Sequence, residues 1–364
     1  MKKIVLTACA AAALLIGCNR DEIIETNPQN AISFDNAFVD HTTRATEINK
    51  ENLTEFYVHS VRTNPAGEIS DIFKNTRVYR EGTAPENYVY KYDDTRYWFD
   101  GSYEFLACNM PMPITVPNEQ QGVSLQYGND GLLNSGKLTY NPLDPEKDLI
   151  TAFATRAVSG NATTGTEKLS LTFNHLMSEV AFEITNSLGN AYHLEINKTS
   201  EDALCLNLNS PEYGAYYFAD KNWVQGINGT WSPIDFAPED ITIPGDPGTS
   251  GREHIFESVS KFMFPTSSGT KLTLHPSVRI AIEFKDGGLV QVLEVKDSEE
   301  GKVLDGIRFE PGKKYLIKMN ITPEVINAQT IEFDVFEVED FKYPDFSHQT
   351  GGIEEIQDDH QNKW

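Results

Sequence analysis

The sequence predicts an all-β fold of antiparallel sheets packed face to face, and three observations carry that prediction. Apolar residues recur with period two at Leu169, Leu171 and Phe173 and again at Val180, Phe182 and Ile184, with Glu179 and Glu183 turned the other way. Helical periodicity is scarce: no window longer than about three turns carries an apolar stripe with caps. The prolines fall mostly between the alternating runs, where they remove no ladder hydrogen bond. With 364 residues, two domains of about 150 residues each are expected.

Taken in order, residues 1–17 read as an export signal. Lys2 and Lys3 precede an apolar run, Ile4 to Ile16, that is short for a membrane span and closes on Leu15-Ile16-Gly17-Cys18. That ending is a bacterial lipoprotein pattern: Gly17 lets a peptidase reach the backbone, and the Cys18 thiol is the nucleophile that takes a diacylglyceryl group. The alternative is a plain signal in which Cys18 is incidental. Residues 18–30 are polar and acidic and read as an extended tether. Ile32 and Phe34 alternate with Ser33 and Asp35 as a half-buried strand does.

Further strands are expected at 262–264, 272–274 and 315–321. A hairpin is expected where Val278, Ile280, Ile282 and Phe284 meet the run from Leu289 to Val295 through Asp286-Gly287-Gly288. A turn-rich stretch, Ser187 to Asn190, marks a boundary between domains at 31–188 and 189–343. The Tyr-, Trp-, Gly- and Pro-rich segment from Ser210 to Asp246 reads as a long connection. Residues 344–364 form an acidic tail expected to be mobile. No repeat at a fixed period of about 20 to 50 residues argues for a propeller or solenoid.

A net charge of −24 repels phosphate backbones and anionic headgroups, so neither nucleic-acid binding nor electrostatic docking on a membrane is expected. Cys9 and Cys18 belong to the signal. Cys108 and Cys205 remain, either as a disulfide in an oxidising compartment or as two small buried hydrophobes.

No HExxH, GxSxG, P-loop or GxGxxG pattern is present, so no enzyme, metal or cofactor is expected. His175 reads as a structural imidazole at a strand end. The acidic groups around Asp93 and Asp297 lack calcium-loop spacing. The aromatics Tyr213, Tyr216, Tyr217, Phe218, Trp223 and Trp231 allow two readings, core packing or a platform that stacks on sugar rings, with Trp223 and Trp231 as its faces.

In their order along the chain, several stretches resemble the fimbrillins, which build type V pili on certain Gram-negative anaerobes. These are the lipobox, Ala31-Ile32-Ser33-Phe34, Tyr97-Trp98-Phe99-Asp100-Gly101, Leu149-Ile150-Thr151-Ala152, Leu171 to Phe182 and Phe309-Glu310-Pro311-Gly312. The resemblance implies two tandem transthyretin-like β-sandwiches, export as an outer-membrane lipoprotein anchored through lipid at Cys18, and trimming by an arginine-directed protease. The matching bond is Arg44–Ala45, against the alternative that Arg44 is an ordinary loop residue, with Arg20 as a competitor that would leave the first strand, 31–44, in place. Asp21 and Glu22 resemble a surface-export signal, against the alternative of a solvated tether.

Trimming would open a groove that an extended segment of another pilus subunit fills by strand addition, leaving the protein in the fimbrium at the cell surface. The donor is either the end bearing Ile331, Phe333 and Val335 or the tail through Ile353 and Ile356. The alternative is an ordinary closing strand. The rival reading of the whole chain is a permanently anchored lipoprotein that ends a pilus at its tip or base, or binds host or bacterial surface glycan or protein.

Overall fold

The structure, a computed structural model, describes residues 30–35, 38–39, 52–83, 88–114, 122–142, 144–159, 168–196, 206–225, 231–248, 251–265, 276–295, 309–324 and 333–338. Its elements are all strands. The first nine are β1 (Phe38–Val39), β2 (Glu55–Thr63), β3 (Ile69–Glu81), β4 (Val89–Lys91), β5 (Gly101–Cys108), β6 (Gly122–Gln126), β7 (Lys137–Asn141), β8 (Ile150–Val158) and β9 (Thr172–His175). Then follow β10 (Ser178–Asn186), β11 (Tyr192–Ile196), β12 (Leu206–Pro211), β13 (Gly214–Tyr217), β14 (Asn222–Gln225), β15 (Trp231–Asp235) and β16 (Ile241–Pro244). The last six are β17 (Ile255–Glu257), β18 (Lys261–Met263), β19 (Pro276–Phe284), β20 (Leu289–Val295), β21 (Lys314–Ile321) and β22 (Phe333–Val338). Among the described residues no helix is long and apolar enough to cross a membrane.

Among the described residues four sheets pack around three cores. The seven-stranded sheet runs β1-β9-β8-β5-β2-β3-β4, and both its faces are covered. Along β5 the alternation divides the side chains. Tyr103, Phe105 and Ala107 enter one core with Phe56, Val58 and Phe73, while Leu106 and Cys108 enter another on the opposite face. That second core lies under the four-stranded sheet β14-β13-β7-β6, which contributes Leu125, Leu138, Tyr140 and Trp223. The third core fills a sandwich between the sheet holding β17, β10, β21 and β22 and the sheet β15-β12-β19-β11-β16. Phe182, Ile184, Leu208, Ile280, Ile317 and Met319 meet there, each buried.

The hairpin forms as its alternation and glycines predict. β19 and β20 pair antiparallel across a turn in which Gly287 and Gly288 take φ of 94° and 119°, a region open to glycine without steric cost.

Three features depart from the sequence reading. Two of the described sheets each carry one parallel pairing within otherwise antiparallel ladders: β10 and β21 run parallel from Glu179↔Lys314 to Asn186↔Ile321, and β1 runs parallel to β9. Period two fixes which face a side chain takes but not the direction of the neighbouring strand. The stretch from Ser210 to Asp246 is strand-rich rather than a connection: β12 ends in it, and it holds β13, β14, β15 and β16. And β13, which follows the expected boundary near 187–190, pairs with β7, which precedes it, in register Gly214↔Tyr140 to Tyr217↔Lys137. The strand expected at 272–274 lies outside the described residues.

Candidate functional site

The segment from Asn30 to Asp35 lies against the first core. Ile32 and Phe34 are each 2% exposed, while Asp35 is exposed, as their alternation requires. The Phe34 ring sits 5.8 Å from each of the Phe56, Phe73 and Tyr92 rings, edge-on to Phe56 and Tyr92. Its backbone is bonded on both sides. On one side Ile32 N donates to Arg96 O at 2.8 Å, and Trp98 N donates to Asn30 O at 2.9 Å. On the other, Leu169 N donates to Ser33 O at 2.7 Å and Asp35 N donates to Leu169 O at 2.9 Å. Phe34 bridges antiparallel to Tyr90 and parallel to Leu169, so the segment is the middle strand of a small layer over the core.

The Tyr92 hydroxyl adds a bond to Ile32 O at 2.6 Å, and burial raises its pKa, keeping the proton that makes it a donor. Taking the segment away would strand Trp98 N, Leu169 N, Leu169 O, Arg96 O and the Tyr92 hydroxyl beside an aromatic hole. Each orphaned buried polar group would cost about 1–3 kcal/mol. Any replacement must therefore be an extended backbone with an apolar side chain at the Phe34 position.

The sequence flagged Ile32 and Phe34 but missed the residues that receive them. Trp98 was visible only inside a motif, and Tyr92, Arg96 and Leu169 hold the segment through a side-chain hydroxyl or the main chain, which leaves no signature in residue types. Cys18, Asp21, Glu22, Arg44 and Ala45 lie outside the described residues.

At the other end, β22 pairs antiparallel with β21, its one strand neighbour among the described residues, from Lys314↔Val338 to Met319↔Phe333. Phe333 and Val335 thus occupy an edge strand of their own chain, and Ile331 lies outside the described residues. On the same sheet, Lys314 and Lys318 of β21 meet Glu179 and Glu183 of β10 at 3.1 and 2.9 Å.

Within the aromatic run, Phe218 and Trp223 belong to the core under the four-stranded sheet and Tyr216 packs against it. Trp223 is 2% exposed, its ring lies 4.9 Å from Phe264 and 5.5 Å from Tyr216, and its Nε1 donates to Leu176 O at 2.8 Å. An indole held in this way offers no face to a sugar, which corrects the platform reading at this position. Trp231 lies in β15, and its side chain falls outside the described residues.

His175 meets Asp148 through Nδ1, both side chains being nearly buried. Cys108 is fully buried and unpaired, and burial pushes its thiol up to about 12, so it behaves as an inert hydrophobe. Cys205 lies outside the described residues.

A family model described as Fimbrillin-like matches residues 43–340. No curated protein matches the chain. Among solved structures, a fimbrial protein from Bacteroides vulgatus is similar at a TM-score of 0.53 and 13% identity, covering 85% of this chain and 99% of that one. A fimbrial anchor protein from Porphyromonas gingivalis is similar at 10% identity and a TM-score of 0.31, covering 84% of this chain and 96% of that one.

Proposed function

The chain belongs to the fimbrillin-like family, and on that premise we propose that it is a pilus or adhesin subunit at the cell surface, the precursor of a structural pilus subunit. It is exported as a lipoprotein on Cys18 to the outer membrane, with Asp21 and Glu22 directing it to the outer face. An arginine-directed protease cuts at Arg44–Ala45. The cut releases the ribbon carrying Ile32 and Phe34, and an extended segment of another subunit takes its seat. The product is a fimbrium with an adhesive role.

The observation that carries this reading is the seat of residues 30–35, bonded along both edges and closed by the Phe34 ring among three aromatics. A strand held there by its own tether acts at an effective concentration of about millimolar, above any free-subunit level, so it must be removed before a neighbour's strand can compete. The donor is the C-terminal region. Among the described residues β22 bonds one neighbour, so its departure breaks a single described ladder.

Size-exclusion chromatography before and after limited trypsin tests the reading. The uncut protein should elute as a monomer and the cut protein, starting at Ala45, as a ladder of oligomers. A trimmed chain that stays monomeric at high concentration would overturn it.

A further inference from the structure

A cleft of about 590 Å³, within the size range of small-ligand sites, lies where the start of β2, the turn after β5, β6, β7 and the 144–148 loop meet. It is separate from the seat of residues 30–35, and nothing in strand exchange uses it. Tyr57, Met110, Pro111, Pro113, Val123 and Tyr140 give it apolar walls, and its charged lining among the described residues is Glu55, Asp144, Glu146 and Asp148 against Lys147.

Two of those carboxylates are already answered. Arg77 donates to Glu55 from Nε at 2.8 Å and from Nη2 at 2.5 Å, and the buried Lys261 holds Glu146. Asp148 differs. It is 2% exposed, its Oδ2 meets His175 Nδ1, and its Oδ1 has no hydrogen-bond partner among the described residues. A carboxylate oxygen buried without a donor is disfavoured unless something supplies one. Asp144 stands at the same cleft, its side chain 42% exposed, with Oδ1 accepting the Glu146 amide at 2.9 Å and Lys147 no nearer than 3.9 Å to Oδ2.

We propose that this cleft binds a guanidinium or ammonium group on an aliphatic stem, the Arg or Lys side chain of an extended peptide from a partner protein. The head group supplies the donor that Asp148 Oδ1 lacks and a second charge-assisted bond to Asp144. The stem lies along Met110, Pro111 and Pro113, and the Tyr57 ring accepts the cation on its face. Neutral polyols would leave the acidic lining uncompensated and gain little from the apolar walls. Among the described residues no group of three acidic or histidine ligands is placed to hold a metal ion. The net charge of −24 draws a basic partner in.

The test is calorimetric titration of the full chain at low salt with acetyl-Gly-Arg-Val-Gly-amide, its Lys and Glu counterparts, and putrescine as a free polyamine. The Arg and Lys peptides should bind and the Glu peptide should not. Asp148→Asn should weaken binding by about tenfold or more. Because that change also touches His175, Asp144→Asn on the exposed loop is the companion variant, expected to weaken binding several-fold with the near-ultraviolet dichroism unchanged. Equal binding of the Arg and Glu peptides, no binding at all, or affinities unaltered in both variants would overturn the proposal. Putrescine binding more tightly than either peptide would overturn the peptide as its source. None of these outcomes bears on strand exchange, whose test is polymerisation.

Discussion

Phe34 is one side chain in a short ribbon, yet it fills the space between Phe56, Phe73 and Tyr92 and is 2% exposed. Phe34→Ala should cost about 3–5 kcal/mol through lost transfer energy and the cavity left behind, read as a lower denaturation midpoint of the uncut chain in urea. His59 works differently. It is 1% exposed, with Nε2 at 2.7 Å from Met112 O and Nδ1 at 3.1 Å from the Tyr127 hydroxyl. Since a carbonyl only accepts, Nε2 carries the hydrogen. Burial pushes its pKa below 6.5, outweighing the Met112 bond and the nearby Asp71, which favour the charged form. The unfolded chain therefore takes up a proton near pH 6.5 before the folded chain does. Stability from neutral His59 is complete above pH 6.5 and is lost as pH falls from there through the depressed folded value. The melting temperature of the wild type should drop more steeply between about pH 6.5 and 5 than that of His59→Gln, measured by circular dichroism; parallel curves would refute it. Little of this was legible in the sequence. Period two put Phe34 inside, but nothing near His59 or Trp223 in the chain names the carbonyls that hold them, because Met112 and Leu176 lie far off in sequence.

At the scale of elements, the strands themselves were legible and their neighbours were not. The run from Val278 to Ile282 and that from Tyr315 to Ile321 alternate so regularly that only a sheet accommodates them, and the glycines at 287 and 288 fix the turn read between β19 and β20. The parallel match of β10 with β21 joins residues more than a hundred positions apart, and no local pattern encodes it. The same holds for β13, whose Tyr and Gly content suggested a loop until β7 supplied its partner. Gly214 shows why glycine stands there. A Cβ at that position would come within 2.6 Å of Phe264 and 3.0 Å of Trp223, both in the core. Gly214→Ala should accordingly destabilise by about 1–3 kcal/mol through overpacking, visible as a lower melting temperature. A larger prediction follows from the β7–β13 pairing. A fragment of residues 31–188 lacks β13, β14 and β18, so β7 loses a ladder and Leu138 and Tyr140 lose Trp223 and Phe264. The fragment should bind a hydrophobic dye and lack near-ultraviolet dichroism; a crisp, cooperative melt of that fragment would show that the first half folds without β13 and β14.

For the molecule as a whole, assembly is a contest between two strands for one seat, biased by charge. The chain is strongly acidic, −24 over its full length, and trimming leaves nearly all of that charge, so subunits repel one another and polymerisation of the trimmed protein should quicken as salt rises toward about 0.15 M and the screening length falls to about 8 Å. The contest can also be shifted without a protease. The tethered ribbon acts at about millimolar effective concentration, and losing about 4 kcal/mol at Phe34 lowers its occupancy by about a thousandfold. That brings the self strand down to the equivalent of about micromolar, within reach of a neighbour's segment. Uncut Phe34→Ala protein at about 50 µM should therefore form oligomers that the uncut wild type does not, and a synthetic peptide spanning residues 28–40 should dissolve them by retaking the seat. Light scattering follows both steps. A folded Phe34→Ala precursor that remains monomeric at that concentration would mean that the tether, and not the fit of one ring, keeps the seat closed.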